Sequence, residues 1–145
     1  MFWQVTIDAN EPARLARFWS AALGYEPRVP TEPSTPWWDH YRGRLGEADA
    51  FTDRIFDPDG RRPPIWFQQV PESKAGKNRV HLDLYPTERD DRLSQERRVE
   101  VVDATVEELV ALGATVVRRD RDDDPDDPFY YVVMQDPEGN EFCVS

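Results

Sequence analysis

Polar and apolar side chains alternate over residues 3–9, WQVTIDA. Val5, Ile7 and Ala9 fall on one face and Gln4, Thr6 and Asp8 on the other, which is the period of a β-strand. The period then changes. In NEPARLARFWSAALG, Leu15, Phe18, Trp19, Ala22 and Leu23 recur at helical spacing. Asn10 is placed to cap this helix, Pro12 suits its first turn, and Gly24 follows its last. YEPRVP suggests a short strand. Residues 30–36 read as loop, and strand density returns near 37–42 or 50–56. PIWFQQV (64–70) is a further strand, and PESKAGKN (71–78) a polar link.

After the link the pattern restarts. RVHLDLY sets Val80, Leu82 and Leu84 against Arg79, His81 and Asp83. ATVEELVALGA predicts a helix, TVVRR a strand, DRDDDPDDP an acidic loop, FYYVVMQ a strand and NEFCVS a last strand. The two halves can be superposed. VTID at 5–8 matches VHLD at 80–83, ALG at 22–24 matches ALG at 111–113, and the turn DPDG at 57–60 matches DPEG at 136–139. Each half reads as β-α-β-β-β. A half of this size buries little apolar area alone, so two curved sheets are expected to complete each other around a cleft, with helices outside.

Composition narrows the partners. The chain has 145 residues with 18 basic and 29 acidic side chains, a net charge of −11. Nucleic acid is excluded as a partner, because phosphate binding needs a basic face. No apolar run is long enough to span a membrane, and the start MFWQVTIDAN lacks the pattern of a signal peptide, so a cytoplasmic protein is expected. The lone Cys143 permits no disulfide within the chain.

The order VTIDANEPARLARFWSAALGYE, DPDG, KNRVHLDLY, LVALGAT, DPEGNEFCV resembles the vicinal oxygen chelate superfamily, and within it the glyoxalase-like branch. The resemblance covers nearly the whole chain. It implies an α+β fold of two βαβββ modules, 1–72 and 77–145, in one domain spanning 1–145, forming a cupped, mostly antiparallel sheet. It also implies a homodimer. Relatives of this kind include glyoxalase I, extradiol dioxygenases, methylmalonyl-CoA epimerase and antibiotic-resistance proteins.

Metal-dependent members hold a divalent ion with His and Glu side chains on four strands. Carried over, those positions fall on Gln4; on Phe67, Gln68 or Gln69; on Arg79 or His81; and on Cys143. Gln is a poor ligand and Arg none, so no cofactor is expected; a divalent metal, if held, would use His81 and Cys143. His81 and Asp83 share a strand face, and Asp8 matches Asp83 in the first half. A His beside carboxylates can act as acid or base, with Glu141 as another candidate. Gln4, Thr6, Trp19, Trp38, Gln68, Arg79 and Cys143 are the expected substrate contacts, and His40 a residue of the cleft mouth. Two functions fit: a lyase or isomerase acting on a small oxygenated or carbonyl substrate, or a non-catalytic protein that sequesters a cationic or aromatic small molecule such as an antibiotic.

Overall fold

The computed structural model describes residues 2–31, 36–45, 51–122, 124 and 129–145. The chain divides into two compact units, Met1–Ser73 and Lys74–Ser145.

In the first unit β1 (Val5–Ala9) leads into α1 (Pro12–Leu23). Pro opens the helix, where its missing N–H costs nothing, and Gly24 closes it in the left-handed region at φ 65°. The Asn10 amide donates to the carbonyls of Val70 and Glu72, both at 2.9 Å, and pins the end of the unit to its start. Leu15, Phe18 and Trp19 turn inward. A second helix, α2 (Pro36–Leu45), stands where loop or strand was expected. Pro again suits a first turn, and Trp38 and Tyr41, one turn apart, pack onto Val29, Phe56 and Phe2. Tertiary packing of those aromatics outweighs the weak local pattern. The sheet follows, with β2 (Arg54–Ile55) and β3 (Ile65–Gln69) in the order β1-β3-β2, β1 and β3 being parallel. The YEPRVP stretch contributes one bridge, Glu26 to Phe56.

The second unit repeats the path. β4 (Asp83–Leu84) is followed by α3 (Gln95–Ala111), β5 (Thr115–Asp122), β6 (Phe129–Gln135) and β7 (Glu141–Val144), in the order β4-β7-β6-β5. β4 is shorter than the strand expected over RVHLDLY, although Cys143 and Ser145 extend its pairing by donating to the carbonyls of Leu82 and Leu84. The helix begins about nine residues before the expected ATVEELVALGA. Ser94 caps it by accepting from the Arg97 amide at 3.2 Å, and Val102, Val106 and Leu109 form its buried stripe. The expected acidic loop lies partly outside the described residues, and its start belongs to β5.

The register ties the two units together as a repeat. Asp8 pairs with Gln68, and Asp83 pairs with Cys143. Both partners move by the same step (83 − 8 and 143 − 68 are both 75). The turns repeat as well. Asp57 and Asp136 are each 3% exposed, and the backbone oxygen of each accepts from the turn glycine, Gly60 or Gly139, at 2.9 Å. Their carboxylates also accept amides just beyond: Arg61 and Arg62 in one turn, Glu138 and Asn140 in the other.

Candidate functional site

The second unit carries a cleft of about 670 Å³ on the sheet face opposite α3. Alternation builds it. Along β6, Tyr130, Val132 and Met134 are buried, which leaves Phe129, Tyr131, Val133 and Gln135 on the cleft side. Along β7, Phe142 and Val144 are buried, and Glu141 and Cys143 face the cleft. On β5 the register breaks between Val116 and Arg118, so Val117 is left out of the pairing and lines the cleft beside Arg118.

His81, Asp83 and Cys143 meet at one place. His81 Nε2 lies 3.3 Å from Asp83 Oδ1, and one donor atom from each of the three side chains lies within 4.8 Å of the others. Both members of the His–Asp pair remain solvent-accessible, with 47% and 43% of their side-chain surfaces exposed, so a small molecule can reach them. Partial burial pushes the Cys143 thiol above its usual range, and the charge of Asp83 and a hydrogen bond to it act in the same direction. Arg118 and Lys77 pull the other way without reversing the effect. Cys143 is therefore a protonated thiol at neutral pH and a poor nucleophile. Glu141 is anchored rather than free. It accepts from the Asn78 amide at 3.1 Å and pairs with Lys74 at 3.2 Å. The Asn78 bond and Lys74 hold its carboxyl below the ordinary range, which leaves it a fixed anion rather than a proton carrier.

The remaining expected site residues stand elsewhere. Gln4, Thr6, Asp8 and Gln68 belong to the sheet of the first unit, with Thr6 and Asp8 exposed. Gln4 is held in place there, its Oε1 accepting from the Tyr41 hydroxyl at 2.7 Å. Trp19 and Trp38, also among the expected substrate contacts, are packed rather than exposed. They are 2% and 4% exposed and fill the core of the first unit, because large aromatics at helical spacing are worth most when packed. Arg79 is exposed and does not line the cleft. His40 is exposed on α2, with its ring 6.5 Å from that of Trp37. Sequence reasoning missed Lys77, Tyr85, Arg89, Arg118, Phe129 and Tyr131. The alternation within FYYVVMQ marks two of them.

The metal question also changes. Where two donors were expected, Asp83 makes a third. Nitrogen, oxygen and thiolate donors with one position left open suit a zinc-type divalent ion, so this donor set fits a metal although the wider His/Glu pattern does not.

The family model described as Glyoxalase-like domain matches residues 4–145. No curated protein matches the chain. Among solved structures, a glyoxalase/bleomycin resistance protein/dioxygenase family enzyme from Burkholderia phytofirmans PsJN is 16% identical, with a TM-score of 0.57 over 97% of this chain and 94% of that one. The fosfomycin resistance protein FosX from Mesorhizobium loti is 11% identical, with a TM-score of 0.56 over 99% and 89% of the two chains. A FosX variant from Listeria monocytogenes, solved with Mn(II) and 1S,2S-dihydroxypropylphosphonic acid, is 13% identical, with a TM-score of 0.55 over 97% and 85%. Likeness at these identities establishes the fold, which is the α+β fold of paired βαβββ modules. With nearly its whole length matched, the chain belongs to the glyoxalase-like domain family.

Proposed function

We propose that the second unit is a small-molecule site in which His81 transfers a proton on a small carbonyl or otherwise oxygenated substrate, in the manner of a lyase or isomerase. One observation carries the reading. An accessible imidazole is oriented by a carboxylate 3.3 Å away at the floor of an open cleft. Asp83 engages Nε2 and so leaves Nδ1 as the nitrogen that can face a substrate; positioned imidazoles of this kind contribute about 10²–10⁴-fold to proton transfer. Asp83 fixes the ring and balances the charge it gains. Arg118, whose guanidinium already donates to Asp120 and to the Tyr131 hydroxyl, is a cation on the cleft wall that suits a developing enolate or carboxylate oxygen.

A substrate need not be known to test this. A panel of small oxo and hydroxy acids is incubated in D2O, and deuterium entry beside the carbonyl is followed by proton NMR. At least one compound should exchange faster with the protein than without it, and His81→Gln should remove that gain. An unchanged rate in His81→Gln refutes the role of His81. Catalysis of no exchange at all favours the sequestering alternative.

The three-donor cluster supports a second reading of the same place. His81, Asp83 and Cys143 would hold a divalent ion, and that ion would supply Lewis-acid polarisation of a substrate oxygen. Elemental analysis separates the two. About one equivalent of metal in the purified protein, lost in Cys143→Ser, makes His81 a ligand rather than a proton carrier.

A homodimer belongs to the same proposal. Val110, Leu112 and Val116 form exposed apolar surface at the end of α3 and the start of β5, which association would cover. Sedimentation equilibrium tests it, and a monomer at high concentration ends it.

A further inference from the structure

The charges that line the cleft are not equally committed. Both carboxylates are engaged: Glu141 by Lys74 and Asn78, and Asp83 by His81 and the Cys143 thiol. Arg118 is engaged by Asp120 at 2.6 Å. Lys77 is different, having no hydrogen bond or ion pair among the described residues. Arg89 lies with its guanidinium 4.6 Å above the Tyr85 ring and likewise meets no carboxylate there. A protein of net charge −11 thus keeps the unspent charge of its cleft positive. That opposes the cationic ligand expected from overall charge, because local potential rather than net charge governs what a cleft attracts.

The wall has an equally definite character. Phe129 and Tyr131 lie one above the other, with ring centroids 5.8 Å apart and planes 30° from parallel. Phe129 is 41% exposed, so part of its ring surface remains open beside the Tyr131 stack. Tyr85, 37% exposed, offers a second aromatic surface. Exposed aromatics in a cleft favour a flat, apolar ligand body by area and by ring geometry.

We infer that the cleft selects a planar aromatic anion: a ring seated against Phe129 and Tyr131, with its carboxylate or equivalent acid directed to Lys77 and Arg89. The inference rests on the proposal that this cleft is the small-molecule site, and it names the ligand class for it. His81 takes no part in holding the ring or the acid.

Three probes of related size test it by calorimetry on the full chain: naphthoate, naphthylmethylammonium and octanoate. Naphthoate should bind at least about tenfold more tightly than either of the others, since reversing the charge or removing the ring each forfeits one of the two interactions. Lys77→Glu and Phe129→Ala should each weaken naphthoate several-fold, both being surface changes that leave folding intact by circular dichroism. Arg97→Gln, an exposed change on α3 outside the cleft lining, should bind naphthoate within about twofold of the parent protein. Equal or tighter binding of the ammonium compound overturns the anion, and equal binding of octanoate overturns the ring. No binding of any probe overturns both. The outcome is separable from the proton-transfer reading: naphthoate selectivity with undiminished deuterium exchange in His81→Gln sinks that reading and leaves this one standing.

Discussion

The two units run the same strand path and place different side chains on it. Counting 75 residues on from β1 and β3, Asp8 becomes Asp83 and Phe67 becomes Phe142, whereas Thr6 becomes His81, Gln68 becomes Cys143 and Trp66 becomes Glu141. What stays the same is the buried Phe and the Asp of the first strand in each unit. What changes is the open face. In the first unit Trp66 covers that face, donating to Asp53 at 3.0 Å and receiving the Arg54 guanidinium 4.8 Å above its ring. In the second unit the matching position holds a short carboxylate tied back to Lys74, and the space above the sheet stays open. The repeat keeps the strand path and differs on the outward face, which is where the proposed proton transfer lies.

The scaffold half of that comparison makes the largest demand. Phe67→Ala and Phe142→Ala remove matched rings that are 0% and 1% exposed. Each should cost about 3–5 kcal/mol by denaturant titration, and costs that differ by more than a factor of two would break the equivalence. The chemical half predicts that His81→Gln lowers any catalysed exchange by about 10²–10⁴-fold while moving the unfolding midpoint little, because the side chain is half exposed and not part of the core.

The turns come next. Asp57→Ala and Asp136→Ala should each destabilise by about 1–3 kcal/mol, since both carboxylates are buried and satisfy several N–H groups. The smallest effect is the response of Asp57 to acid. Burial alone would raise the Asp57 carboxyl, but the Arg62 side chain and the Arg61 and Arg62 amides outweigh it and hold the group below its ordinary 3.8. A depressed carboxyl contributes stability that is present above its unfolded value and is lost as pH falls through its folded one. Asp57→Ala should therefore flatten the loss of stability below about pH 4. Retention of the full slope would show that Asp57 is not its source.

Much of the scaffold was legible because it is written locally. The step of 75 between VTID and VHLD is the step seen in the strand register, and FYYVVMQ and NEFCVS alternate as the strands do. α2 was not legible. PWWDHYRGRL has a glycine and little helical pattern, and its helix is stabilised by Trp38 and Tyr41 meeting Phe56, a contact distant in sequence. The front of α3 was hidden for a related reason: QERRVE is mostly charged, and the buried stripe begins only at Val102. In the site, the shared face of His81, Asp83, Glu141 and Cys143 followed from parity alone. Lys77 and Arg89 could not be found that way, since neither lies on a strand. The bulge that brings Val117 and Arg118 together breaks the very alternation that sequence reasoning relies on.

The protein has two histidines, one in each unit, and this permits the most direct test. The ring protons of His40 and His81 give two NMR signals, assigned by His81→Gln. Adding the compound that exchanges fastest should shift the His81 signal in step with binding and leave that of His40 in place. A shift of His40 with His81 unmoved would contradict the claim that the second unit is the copy that does the chemistry.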